Sequence, residues 1–315
     1  LQCDCVALGT TKQNCLDCYR WSSAIVLWSL SCSLQASPSL KMEFMNEFLS
    51  IAEAFLQHSP YSPAIETVVG PTFYVDDAFW YVLAYASVYE ATGDERFRRM
   101  AFDMHALLLR DGRACTKDGL CDYVWNTQKT CGDKGCRGFI TDKRKQEDNV
   151  WGALPTVLLA TLAPTPEQKD SLVQQAIFYV SSIWDTWQAN PHLAQESYKT
   201  GGIVSASAML AHLTGNIVWA DRARAMWNMG APVFTTATHL IKATAGGDGQ
   251  AFRAATYASL FTMVTHTSPD MLASICGVNF ALAQAHAARS HLVATPACGP
   301  KGIAPGIQVA PHSWE

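Results

Sequence analysis

At 315 residues, 49% hydrophobic and 16% charged, the chain can bury a large core as one big domain or two ordinary ones. Its net charge of −4 and pI near 6.1, with Lys and Arg scattered, exclude a nucleic-acid-binding footprint. No apolar run reaches the ~18–20 residues of a membrane-spanning helix.

The first forty residues read as an extended, cysteine-rich arm. Cys3, Cys5, Cys15, Cys18 and Cys32 cluster there, and eleven cysteines in all is a count expected of a secreted or cell-wall protein. An opening on Leu1 rather than Met fits a mature chain freed of a targeting segment. Cys-x-Cys and Cys-x-x-Cys can ligate zinc, but disulfides are the favoured reading, and neither metal nor cofactor is expected. Further local disulfides are expected within Cys115, Cys121, Cys131 and Cys136, and between Cys276 and Cys298. The odd total leaves one thiol free or intermolecular. Residues 21–40 carry no charge, and Val26, Trp28, Leu30, Cys32 and Leu34 alternate with Leu27, Ser29, Ser31, Ser33 and Gln35. Period two predicts a half-buried strand. Such a strand packs on its own domain or adds to an edge of a second copy, so residues 21–35 and the spare cysteine are candidate contacts of a homo-oligomer.

From Leu40 onward the pattern is helical. Phe44, Phe48, Ile51, Ala52 and Phe55 mark one helix, and Pro60, Pro63 and Pro71 an irregular link. Trp80, Leu83, Ala84, Ser87, Val88 and Ala91 then form one apolar stripe. Thr92-Gly93-Asp94 stops that helix and caps the next, which carries Phe97, Met100, Ala101, Met104 and Leu108. Residues 111–146, with four cysteines, form the longest loop-like stretch, a length usually functional or disulfide-held. Helical spacing resumes at Asn149–Ala163, Glu167–Ala189, Gly202–Leu213, Ile217–Met229, Val233–Ala245, Ala251–Thr267 and Asp270–His291. Pro296, Pro300, Pro305 and Pro311 make residues 295–315 an extended strap. About ten helices at hairpin spacing predict an all-α toroid or solenoid spanning residues 41–294.

Asp76 and Asp77 stand at the head of the first hairpin, between Tyr74-Val75 and Phe79-Trp80. One reading makes either acid the N-cap, with its neighbour helped by the helix dipole. The other makes them an acid/base and nucleophile pair at a pocket mouth. Consecutive helical residues point roughly 100° apart, so both can flank one substrate only at a helix start. An internal repeat favours chemistry. The segment Ala86 to Met104, with its Thr92-Gly93 turn, recurs 122 residues on as Ala208 to Met226, with Thr214-Gly215. At that offset Asp76 and Asp77 correspond to Tyr198 and Lys199, so the architecture does not need two acids.

Other chemistries find no support: there is no His-Glu-x-x-His, no Gly-x-Ser-x-Gly elbow and no Walker loop. Trp125, Trp151, Trp184 and Trp187 can stack on sugar rings but are more often core; Trp125, inside the polar loop, is the best candidate.

Phe73-Tyr-Val-Asp76-Asp77-x-x-Trp80 followed by Tyr89-Glu-Ala-Thr-Gly-Asp94-x-x-Phe97 resembles the Asp-Asp motif of the endo-α-1,6-mannanase family of glycoside hydrolases. Weaker echoes follow in the family's order at Cys136-Arg-Gly138-Phe139, at Ser197-Tyr198-Lys-Thr-Gly201 and at Gly249-Gln-Ala-Phe252-Arg253. The resemblance implies an (α/α)6 toroid that hydrolyses or transfers α-1,6-linked mannose with retention. Asp76 would be the nucleophile and Asp77 an acid/base with a raised pKa. It implies a polysaccharide or glycoprotein glycan as partner and, at matching positions, substrate contacts from Tyr74, Trp80, Phe139, Tyr198 and Arg253, with Trp125 added from the loop. The sequence departs from the family at Arg137-Gly138-Phe139, Gln146–Trp151 and Tyr198-Lys199-Thr200-Gly201, all groove-lining positions. The alternative is a non-catalytic relative serving as a glycan-binding or self-assembling extracellular subunit.

Overall fold

The structure, a computed structural model, describes residues 21–58, 74–111, 113–115, 121–123, 149–242 and 249–282. The helices there are α1 (Trp21–Ala36), α2 (Pro38–His58), α3 (Val75–Thr92), α4 (Glu95–Asp111) and α5 (Asn149–Thr161), then α6 (Pro166–Ala189), α7 (Ser197–Thr214), α8 (Val218–Phe234), α9 (Gly249–His266) and α10 (Pro269–Cys276). A 3₁₀ turn, Pro191–Gln195, joins α6 to α7. A small antiparallel hairpin lies inside the 111–146 loop: β1 (Arg113–Cys115) pairs with β2 (Cys121–Tyr123).

The odd-numbered helices form an inner ring. Helix α1 packs on α3, α3 on α5, α5 on α7, α7 on α9, and α9 returns to α1. Each even-numbered helix packs outside the inner helix before it. This is the expected α/α toroid of helical hairpins. Five hairpins close the ring among the described residues; a sixth, as in an (α/α)6 count, is not among them.

Inner helices are covered on all sides, so their sequences are apolar or small nearly all round. In α3 every residue from Ala78 to Val88 is buried. In α7 burial runs from Thr200 to Ala211. Several of the polar residues there survive because their hydroxyls bond a carbonyl of their own helix. Ser205 donates to Gly201 O at 2.7 Å, Ser207 to Ile203 O at 2.9 Å, and Ser259 and Thr262 of α9 to Ala255 O and Ala258 O at 2.8 and 2.9 Å. The outer helix α4 is amphipathic, and buries the expected Phe97, Met100, Ala101, Met104 and Leu108.

The sequence repeat is reproduced atom by atom. Gly93 and Gly215 end α3 and α7 with φ of 76° and 68°, the left-handed conformation that glycine adopts without strain. Thr92 and Thr214 donate to Val88 O and Leu210 O at 2.7 and 2.6 Å. Asp94 and Asn216 accept from the backbone N–H two residues on, at 3.0 and 3.1 Å.

Four expectations need correction. Residues 21–36 are a helix, not a strand. Ala24, Ile25, Leu27, Trp28, Ser31, Cys32 and Leu34 are buried, the i, i+3, i+4, i+7 set of a helix once serine is counted as a small inward residue. Helix α1 is therefore a wall of the ring, not part of an extended arm, and has no strand edge to lend a second copy. No separate helix begins at Val233: α8 runs on through Pro232 to Phe234, and residues 235–242 are not helical, Thr235 bridging Ile241 around His239 at φ 63°. Finally, Cys276 is a buried free thiol, so it is not joined to Cys298; Cys32 is a buried free thiol too. Helix α10 breaks there, at Gly277 with φ 85°, and residues 278–282 are helical again, where one unbroken helix as far as His291 was expected. Cys115 and Cys121 stand opposite each other in the register of β1 and β2; residues 1–20, 124–148 and 283–315, with the remaining cysteines and the C-terminal strap, lie outside the described residues.

Candidate active site

All five inner helices begin at the same end of the toroid, and their first turns surround one open cavity of about 390 Å³. It is lined by Trp21 from α1, Tyr74, Asp76, Asp77 and Trp80 from α3 and the residue before it, Trp151 from α5, Tyr198 from α7 and Phe252 from α9. Five helix N-termini turn their partial positive ends toward it, which favours carboxylates there by about 0.3–1 kcal/mol each.

Tyr74 is the N-cap of α3, with extended φ and ψ of −110° and 132° and no side-chain cap. Neither aspartate is thus the cap. Asp76 and Asp77 are the second and third residues of the helix, half-buried, and both reach the cavity. Trp80, one turn below and only 6% exposed, forms the floor. Beneath it a void of about 10 Å³ is large enough for little more than a water.

The rest of the wall is aromatic and continuous. Trp21 stacks on Phe252 (centroids 5.1 Å, planes 20° apart), Phe252 on Tyr198 (4.1 Å, 12°) and Tyr198 on Trp151 (5.2 Å, 19°). Trp151 meets Trp80 edge to face at 5.6 Å. Following the ring order, this ladder runs from α1 through α9 and α7 to α5. It leaves one gap, at α3, and the two aspartates fill that gap.

The sequence expectations fall into three groups. Asp76, Asp77, Tyr74, Trp80 and Tyr198 are brought together on the cavity. Arg253 is not among its lining residues: it is 8% exposed, beside Tyr257. Burial lowers the pKa of its guanidinium from the ordinary value, partly offset by Tyr257, whose own phenol burial raises. Trp125 and Phe139 lie outside the described residues. Trp21 and Phe252 are wall residues that the sequence reading did not select, and Trp151 one that it leaned toward the core. Their common signal is position, an aromatic in the first turn of every inner helix but α3, legible once the helix starts are known.

Lys199, sister of Asp77 in the repeat, stands beside the cavity. Its ammonium pairs with Glu196 at 2.8 Å and lies 5.8 Å from the Trp151 ring centre and 6.0 Å from that of Tyr198. Among the described residues no His, Cys, Asp and Glu group is arranged to hold a metal, and no helix is long and apolar enough to cross a membrane.

Neither a protein-family profile nor a curated protein sequence matches the chain. Solved structures do. A family 76 glycoside hydrolase (mannosidase) of Bacteroides thetaiotaomicron superposes with a TM-score of 0.58 at 12% identity, covering 87% of this chain and 76% of that one. A GH76 alpha-mannanase of the same organism gives 0.53 at 11% identity, covering 93% of this chain and 80% of the other. The fold is that of family 76 glycoside hydrolases. At such identity the likeness concerns the backbone alone.

Proposed function

We propose that the chain is a retaining glycoside hydrolase or transglycosylase acting on α-1,6-linked mannan. The observation that carries this reading is that two adjacent carboxylates reach one open, aromatic-lined cavity, in a fold shared with mannan-acting enzymes. Aromatic walls suit the apolar faces of sugar rings, and carboxylates suit glycosidic chemistry. Asp77 donates its proton to the glycosidic oxygen as the bond from that oxygen to the anomeric carbon breaks. The Asp76 carboxylate bonds the same carbon from the opposite face, giving a glycosyl-enzyme. Water, or an acceptor sugar hydroxyl, then loses its proton to Asp77 and displaces Asp76, so the anomeric configuration is retained. Retention asks for carboxyl groups roughly 5–5.5 Å apart, a separation within reach of neighbours in a first helical turn. The eleven cysteines support an extracellular setting, with a cell-surface glycan as substrate.

Incubation with α-1,6-mannan tests this. Wild type should release oligosaccharides whose newly formed ends start as the α anomer, read by proton NMR. Asp76→Asn and Asp77→Asn should each lose on the order of 10³-fold or more in rate while keeping the wild-type circular dichroism. Product from wild type and variants alike, or from none of them, overturns the reading and leaves a non-catalytic, glycan-binding or assembly subunit on the same fold.

A further inference from the structure

The aromatic ladder is stacked largely on itself, which limits what each ring can offer a ligand. A hexose binds an aromatic residue through the face of the ring, where the negative quadrupole meets the apolar C–H face of the sugar. Phe252 is sandwiched between Trp21 and Tyr198, and Tyr198 between Phe252 and Trp151. Trp151 has Tyr198 stacked on it, Trp80 against it edge to face, and the Lys199 ammonium over it. Trp21 is the end ring. Among the described residues its indole has a ring partner on one side only, and it is half-exposed on the cavity wall. Its helix, α1, is the direct neighbour of α3, which carries the aspartates.

We infer that Trp21 is the sugar-stacking platform of the cavity, its indole face turned away from Phe252 receiving a hexose of the chain bound beside Asp76 and Asp77. This rests on the glycosidase reading above. Trp151, flanking α3 on the other side, serves instead as a filled wall, its rings and cation closing the cavity rather than offering a second stacking face. The site would then take one sugar ring by stacking, on the α1 side, and hold the rest of the glycan by polar contacts.

The test is calorimetric titration of α-1,6-linked mannotetraose into an Asp76→Asn protein, which binds without turning the ligand over. Adding Trp21→Leu keeps an apolar contact with Phe252 but removes the π face; adding Trp21→Phe keeps a face. The expected result is a Kd weakened about tenfold or more by leucine and no more than about threefold by phenylalanine, with similar melting temperatures. Equal affinity with and without Trp21→Leu overturns the platform and leaves the glycosidase reading intact. Equal losses in both double variants, each with a matching fall in melting temperature, also overturn it, because they mark a packing role. Absence of mannotetraose binding to Asp76→Asn, together with absence of cleavage by wild type, removes the glycosidase reading and the platform with it.

Discussion

His266 Nε2 and Glu90 Oε1 meet at 2.7 Å at the end of the ring opposite the cavity, tying the last turn of α9 to the last turn of α3. Both side chains are only 14% exposed. Helix α1 packs between α3 and α9, so the pair closes the ring over the end of α1. Removing one member strands the other in a partly dry site, which costs more than the pair itself contributes. His266→Ala should therefore lower unfolding free energy by about 1–3 kcal/mol in urea denaturation, with the Glu90→Gln/His266→Gln double variant recovering most of it. Equal stability of single and double variants would show that the contact is idle.

The two free thiols should be chemically silent. Burial, and secondly the charge of Glu90, push the Cys32 thiol up well above its ordinary value, a hydrogen bond with Thr262 offsetting little; burial does the same for Cys276. A reactive thiolate is scarce in both. Iodoacetamide at pH 8 should leave the peptides containing Cys32 and Cys276 unmodified in the native protein and alkylate both in urea. Native labelling of either, read by peptide mass spectrometry, would contradict the packing of α1 or α10.

Asp94 combines two roles that substitution separates. Its carboxylate caps α4 through the Arg96 N–H and pairs with the Arg96 guanidinium at 2.7 Å. The side-chain bond with Arg96 holds its pKa below the ordinary carboxylate value. A depressed folded-state pKa means a contribution fully present above the unfolded value near 3.9 and lost as pH falls through the folded one. Because the site is largely solvated, that acid dependence should be small and disappear at about 1 M salt. Asp94→Asn, which copies Asn216 of the sister repeat, should keep the cap and lose only the acid dependence. Asp94→Ala should lose the cap as well, about 0.5–2 kcal/mol.

Gly202 of α7 and Gly230 of α8 should respond oppositely to one methyl group. A Cβ at Gly230 would collide with the Ala194 carbonyl oxygen and come within 2.8 Å of Phe234, whereas one at Gly202 meets nothing within 4 Å. Gly230→Ala should cost about 1–3 kcal/mol through displaced backbone. Gly202→Ala should stabilise by about 0.5–1 kcal/mol through helix propensity. Thermal melts of the two variants decide it.

Much of the fold is written locally. The Thr-Gly turns at 92–93 and 214–215 announce hairpins because a left-handed glycine and a hydroxyl bonded to its own helix are sequence-local devices. Asp76 and Asp77 stand out because acids among Tyr74, Phe79 and Trp80 need a reason. Helix α1 was less legible. Surrounded on all sides, it has no polar face, and serines on its inward stripe imitate a strand's alternation. Long-range geometry accounts for the rest. That Arg253 falls off the wall while Phe252 lines it depends on how α9 is rotated in the ring, which periodicity alone leaves open.

The closing of the ring has a consequence for biogenesis. Trp28 donates its indole N–H to Thr262, 234 residues further along the chain, at 3.3 Å. At translation speeds of about 5–20 residues per second, the partner emerges from the ribosome roughly 10–50 s after the indole does. Throughout that interval α1, which carries no charge, can be covered by α3 on one side but lacks its α9 neighbour on the other, a face that a chaperone must shield until α9 is made.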